Sequence, residues 1–297
     1  MKKYLYLFSL ILIFASCNKI EAPFAIDNTT LINTNKKVLI EDYTGHLCPN
    51  CPNASRELDA IIDLYGDNII GMAVHVGKTF ARPYPSSQDP KFQYDFRTSW
   101  GENWDSFFSI SDAGLPKGMI NRIGYPNNEH RKGKNEWLAL VQSELEKEAD
   151  VEILISSNIN GSNGIITVNI EVLNDLNGSY NLVICLTEDS IINWQKDGQV
   201  EEENYVHLFV LRSVLNTDLG EPLNSITTLT TGDDFQRIYS INLNTLEQNN
   251  INFSTNSLFQ GNGNAGGWIK ENMNIIAYIY NTSTYEILQV EEADLIN

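Results

Sequence analysis

Cys48 and Cys51 stand three residues apart in TGHLCPNCPNAS, residues 44–55, and each is followed by a proline. A close cysteine pair can tether haem, hold a metal, exchange disulfides or close a permanent staple. A c-type haem tether needs histidine directly after the second cysteine, and Pro52 stands there instead. A structural zinc site draws on four ligands, and a second close pair of Cys or His is missing. The histidines, His46, His75, His130 and His207, are scattered. No metal and no cofactor are therefore expected. Two chemistries stay open: a dithiol that cycles with its disulfide, and a disulfide that stays closed.

The elements around the pair set its reactivity. Upstream, KKVLIEDY is rich in branched apolar residues and reads as a buried strand. Downstream, PNASRELDAIIDLYG places Ala54, Leu58, Ile61, Ile62 and Tyr65 on one helical face, with Gly66 as a C-terminal stop. The pair thus falls where a strand becomes a helix, with Cys48 at the helix N-terminus. Unpaired N–H groups and the helix dipole there favour a thiolate. Pro49 and Pro52 fit the first turn, where an N–H has no helical partner. His46 would support the thiolate when charged, or else be a solvated loop residue.

Strand, CxxC and helix together resemble the thioredoxin arrangement. GLPKGMINR, residues 114–122, resembles the loop and strand that carry the thioredoxin cis-proline, which makes Pro116 that residue, in cis beside the two sulfurs. Counting back six residues from Cys48 puts Asp42 where thioredoxins keep a buried acid, with Glu41 an equally acidic neighbour. The Trp-Cys-Gly-Pro-Cys motif itself is absent. An insert of about residues 78–110 also separates His75 from the proline loop. It carries Phe80, Tyr84, Phe92, Tyr94, Phe96, Trp100, Trp104, Phe107 and Phe108. These aromatics either pack the insert onto the domain or line a groove for a peptide or apolar ligand.

The N-terminus reads MKKYLYLFSLILIFASC. Its apolar stretch is too short to span a bilayer and suits an export signal, residues 1–17. Small residues before Cys17 resemble a bacterial lipobox, in which Cys17 would be lipidated. Residues 18–35 are polar and aperiodic, as a tether would be. VLIEDYTGHLCPNCP, DFRT, GLPKGMINR and YVHLFVLR, together with the lipobox, resemble the Omp28-related outer-membrane lipoproteins of Gram-negative bacteria. The densest overlap is at Glu41, Tyr43, Thr44, Gly45, His46, Cys48, Asn50, Cys51 and Pro52. That resemblance implies a thioredoxin-like part followed by a β-rich part, in the cell envelope.

From residue 151 short strand-like runs follow, separated by Gly, Asn, Asp and Ser. Ile166, Val168, Ile170 and Val172 alternate onto one face. Such runs point to an antiparallel β-sandwich. The expected fold is therefore an α/β thioredoxin-like domain over 36–149 and an all-β sandwich domain over 150–297. The helix around Trp137, Leu138, Val141 and Leu145 closes the first domain. Cys185, in NLVICLTE, reads as a buried apolar residue. His207 and Arg212, on opposite sides of one strand, read as structural or as contacts between domains, and GNGNAGGW, residues 261–268, as a mobile loop.

The formal charge is −18. Loss of Lys2 and Lys3 with the signal leaves about −20. Nucleic acid is excluded as a partner, and the membrane is met through the lipid anchor only. Two functions follow. One is a tethered thiol–disulfide oxidoreductase acting on envelope proteins or peptides, with Cys48 as nucleophile, Cys51 as resolving thiol, Pro116 presenting a backbone edge, Asp42 or Glu41 moving a proton, and an unidentified redox partner. The other is a binding or adhesin-type lipoprotein in which the cysteines form a structural disulfide.

Overall fold

β1 (Val38–Thr44) is buried along its whole length, as a strand covered on both faces requires. It feeds α1 (Cys51–Tyr65) and then β2 (Ile69–His75). The computed structural model describes residues 35–85, 87–223 and 228–296. The export signal, Cys17 and nearly all of the tether lie outside them. After β2 an irregular stretch leads to α2 (Ser99–Phe108), β3 (Lys117–Ile120) and α3 (Trp137–Leu145). Then come β4 (Val151–Asn160), β5 (Asn163–Val172), β6 (Leu176–Asn177), β7 (Tyr180–Glu188), β8 (Ile191–Asp197), β9 (Val200–His207) and β10 (Val210–Val214). The short β11 (Glu221–Pro222) and β12 (Thr228–Leu229) precede β13 (Asp234–Asn242), α4 (Leu243–Thr255), β14 (Met273–Asn281) and β15 (Ile287–Asp294). The architecture is mixed α/β, with strands predominating.

The expected split near residue 150 is not how the sheets are built. One eight-stranded sheet runs β15-β14-β7-β10-β2-β1-β3, with β11 added beside β7. Strands from both halves of the chain share it, and all described residues belong to one unit. The join is between β2 and β10, which run parallel with Ala73 beside Val210. Alone, β2 would present a bare edge of N–H and C=O groups, and β10 covers it. The second half does contain face-to-face sheet packing. The antiparallel layer β13-β5-β4 packs Ile166, Val168, Ile170 and Val172 onto Leu182, Ile184, Ile275 and Ala277 of the main sheet. This sandwich shares its larger sheet with β1, β2 and β3.

β1 alternates its side chains between two cores. Leu39 and Tyr43 join Trp104 and Phe108 of α2 on one face. Val38 and Ile40 join Ala54, Leu58 and Ile61 of α1 and Trp137, Val141 and Leu145 of α3 on the other. Asp42 points to the α1 face and Glu41 to the α2 face, because neighbouring strand residues face opposite ways.

Candidate functional site

β1 and β2 pair in parallel from Val38–Ile69 to Thr44–His75, so both end at the same edge. The loop Gly45–Asn50 leaves that edge and carries the cysteines. Cys48 and Cys51 form a disulfide with Cα atoms 5.4 Å apart. The helix starts one turn later than the sequence suggests: Asn50 is the N-cap and Cys51 the first helical residue. A turn comes first, with Cys48 N–H donating to Gly45 O at 2.9 Å and Cys51 N–H to Cys48 O at 3.3 Å. Pro49 therefore lies in the turn, and Pro52 is tolerated in the first helical turn.

β3 runs antiparallel to β1, with Lys117 opposite Tyr43 and Gly118 opposite Asp42. Leu115–Pro116 is a cis peptide. Pro116 thus precedes β3 at the end of β1 from which the cysteine loop departs.

Both cysteines are 1% exposed. Their cover is the β8–β9 hairpin. Gln195 Nε2 donates to Cys48 O at 3.2 Å and Gly45 O at 3.4 Å. Lys196 N–H reaches His46 O and Gly198 N–H reaches Pro49 O, each at 2.8 Å. Arg56 of α1 grips Asp197 with N–O distances of 2.8 and 3.2 Å.

The acidic neighbours separate cleanly. Glu41 is tied to Arg122 by two 2.8 Å hydrogen bonds, and Arg122 Nη2 also donates to Tyr278 Oη at 2.7 Å. The rings of Trp104, Phe108, Tyr278 and Tyr280 surround that guanidinium. Glu41 is thus a paired carboxylate on the face away from α1, which removes it as a proton carrier for the cysteines. Asp42 is 1% exposed, and its Oδ1 has no hydrogen-bond partner. Burial, reinforced by Asp59, pushes its pKa up to about 8. Asp42 is therefore mostly protonated at neutral pH.

His46 does not sit in solvent. It is fully buried, its ring 5.8 Å from Phe92 and 5.7 Å from Phe96. Burial, then His207, pushes its pKa down to about 3, so it is neutral and gives no charge to a thiolate. Phe96 also stacks on His75 at 4.6 Å and lies tilted against His207 at 4.4 Å. Part of the aromatic insert is thus core: Phe92 and Phe96 close over three histidines, and Trp104 and Phe108 over Arg122, while Phe107 stays exposed. The Gly-rich loop is fastened to it, with Tyr94 Oη donating to Gly266 O and Asn262 to Gln93 O. His207 ends β9 while Arg212 lies on β10, so they occupy different strands. Arg212 pairs with Glu188 at 2.7 Å.

Sequence reasoning left His75, His207 and Gln195 without a role beside the cysteines. The sequence marked His75 only as the residue ahead of the insert; its pairing beside the cysteine loop comes from the parallel β1–β2 register. His207 and Gln195 reach the loop through a hairpin more than 140 residues later in the chain, which no local pattern shows. Free Cys185 is buried on β7, as expected, and burial pushes its thiol far up. Among the described residues no group of His, Cys, Asp and Glu could hold a metal ion. No helix there is long and apolar enough to cross a membrane.

A parallel β-strand pair with a cysteine loop at its edge, built into a predominantly β molecule, defines the class. The family described as outer membrane protein Omp28 matches residues 103–266, more than half of the chain. The chain belongs to this outer-membrane protein family. The match begins after the cysteine loop, so membership speaks for the sheet and not for the pair. HBP35 of Porphyromonas gingivalis is similar in fold, with a TM-score of 0.61 at 15% identity, covering 88% of this chain and 76% of that one. A protein of Agrobacterium tumefaciens aligns at a TM-score of 0.45 and 10% identity, over 88% of this chain and 95% of that one. A domain of the outer membrane lipoprotein Omp28 from Porphyromonas gingivalis aligns at 0.30 and 16% identity, over 50% of this chain and 88% of that one. No curated protein is matched.

Proposed function

We propose that this outer-membrane protein is a lipid-anchored thiol–disulfide exchanger, held through Cys17 by the tether 18–35, with a thioredoxin-like element built from β1, α1, β2 and β3. The observation that carries the reading is Asp42, a buried, unpartnered carboxyl on the α1 face of the strand leading to the pair. In the exchange, a thiolate of an envelope dithiol attacks Cys48 Sγ. The Cys48–Cys51 bond breaks, and its electron pair leaves on Cys51 Sγ, which takes the proton of the Asp42 carboxyl. The second thiol of the dithiol loses its proton and attacks its partner sulfur. This releases Cys48 as a thiolate and the substrate as a disulfide. Two electrons pass from substrate to the pair, and a second disulfide must reoxidise it. Pro116 lies at the same strand edge, where an extended substrate would run.

The test uses the full chain in its native envelope. A Cys51→Ser variant should accumulate mixed disulfides through Cys48, and their absence counts against exchange. The burial of both sulfurs under the β8–β9 hairpin favours a second reading, a closed staple in a binding lipoprotein. A reduction potential below about −300 mV, typical of structural disulfides, would select that reading.

A further inference from the structure

A small polar cavity opens beneath the hairpin, one helical turn beyond the cysteines. Its walls include Asp42 and Thr44 of β1, Ser55 and Asp59 of α1, His75 of β2, Gln195 of β8, and Tyr205 and His207 of β9. Its volume is about 40 Å³, room for about two water molecules. Three buried polar atoms on its wall residues lack a hydrogen-bond partner: Asp42 Oδ1, His75 Nδ1 and His207 Nε2. The two imidazoles lie 5.7 Å apart between ring centroids. Leaving three such atoms without partners would cost about 1–3 kcal/mol each, so a shared water cluster is the economical arrangement. Ser55 stands four residues after Cys51 on α1, on the same helical face, and Gln195 also holds the Cys48 carbonyl. The cavity therefore touches both the acid and the cover of the disulfide.

We infer that His75 and His207 are positioning residues for the exchange, joined to Asp42 through water in this cavity, and that their N–H groups stabilise the carboxylate left when Asp42 gives its proton to Cys51. The inference rests on the exchange reading above. The step balances: the proton moves from Asp42 to the Cys51 thiolate, the two neutral imidazoles turn N–H donors toward the new carboxylate, and solvent restores the proton after the substrate leaves. Both histidines are suited to this because burial keeps them uncharged. The charged and titratable groups around them are Asp59 on α1, Tyr205 on β9, Arg212 on β10, and Arg97, Lys196 and His46 nearby. None is an acid closer to the sheet than Asp42.

The test needs no variant to succeed. In the unmodified mature chain labelled with 15N-histidine, the His75 and His207 ring signals should move with a midpoint near that of Asp42, about 8. His130, whose Nε2 faces Phe108 O at 2.8 Å, should not follow it. His75→Phe and His207→Phe keep a ring on Phe96 and remove the donors. Each should raise the Asp42 midpoint by about half a pH unit or more and shift the pH–rate profile of disulfide opening by dithiothreitol in step. His46→Phe, which alters the same ring stack outside the cavity, should leave the Asp42 midpoint in place. Histidine signals flat across that range, or an equal shift in His46→Phe, overturn the inference. Coupling in a chain that exchanges no disulfide overturns the exchange reading and leaves the cavity network standing, whereas exchange without coupling does the reverse.

Discussion

At the scale of single residues, burial decides charge. His46, His75 and His207 are neutral in the folded chain, with His46 and His207 pushed down to about 3. An unfolded histidine titrates near 6.5, so between about pH 3 and 6.5 the unfolded chain binds the extra protons. Their contribution is therefore complete above about pH 6.5 and is lost as pH falls, by at most about 1.4 kcal/mol per pH unit for each histidine. Asp42 acts with the opposite sign. Its raised pKa lets the folded state keep a proton that the unfolded state gives up above about pH 4, so its contribution is lost as pH rises to about 8. Glu292, pushed up to about 7 by burial, acts with the same sign as Asp42, as do Asp59, Glu102 and Asp189, whose carboxyls desolvation also raises. The histidine contribution is therefore read by comparing variants in urea unfolding from pH 4 to 6. His207→Phe should make the slope of stability against pH less positive over that range, and Asp42→Asn more positive. An unchanged slope in His207→Phe would contradict the neutral histidine cluster. Glu41→Gln leaves the Arg122 guanidinium buried without its charge partner. It should cost about 3–5 kcal/mol in the same measurement, whereas breaking an exposed pair such as Lys91–Glu201 should leave the unfolding midpoint nearly unchanged.

At the scale of elements, the β8–β9 hairpin controls the disulfide. Exchange needs a sulfur to meet an incoming thiolate, and the hairpin stands over both. Gln195→Ala removes two hydrogen bonds to the cysteine loop, worth together about 1–2 kcal/mol. Opening by dithiothreitol should then quicken by roughly 5- to 30-fold, read as thiol release against time. An unchanged rate would mean that the hairpin is not the barrier. Short-range pattern was enough to locate most elements. The branched run 38–44, the apolar face of α1, the helix from Trp137 and the alternation of Ile166 to Val172 all lie where their periodicity puts them. What pattern could not supply was the cover. β8 is half-buried and β9 mostly exposed, and both are half polar, so their composition resembles any solvent-facing hairpin, and only their pairing in space sets Gln195 and His207 beside the cysteine loop. Between Glu41 and Asp42, strand alternation relative to the α1 face makes the choice once the packing of α1 is known.

At the scale of the whole molecule, the expected pair of domains is one body. Composition does change near residue 150, from helix-bearing to strand-rich, and that change suggested a boundary. Sheet continuity overrides it, because a change of texture along the chain says nothing about which edges hydrogen-bond. Residues 36–149 expressed alone would leave the β2 edge bare and Val74, Met72 and Tyr43 without the β7, β10 and β14 side chains of their core. That fragment should show no cooperative unfolding transition, while the full mature chain should unfold in a single step by circular dichroism. A folded fragment would restore the boundary. Reduction of the pair should lower the stability of the full chain by only about 2 kcal/mol, since so short a loop removes little chain entropy.

The placing of the cover has a consequence in time. A chain emerging from its amino end presents Cys48 and Cys51 long before Ile191, where the hairpin begins. The two thiols therefore meet the oxidants of their compartment while still naked, and the bond can be made without any door having to open. The shutter arrives only afterwards, so making the bond needs no passage through it, whereas whatever later breaks that bond has to do so from outside a closed room.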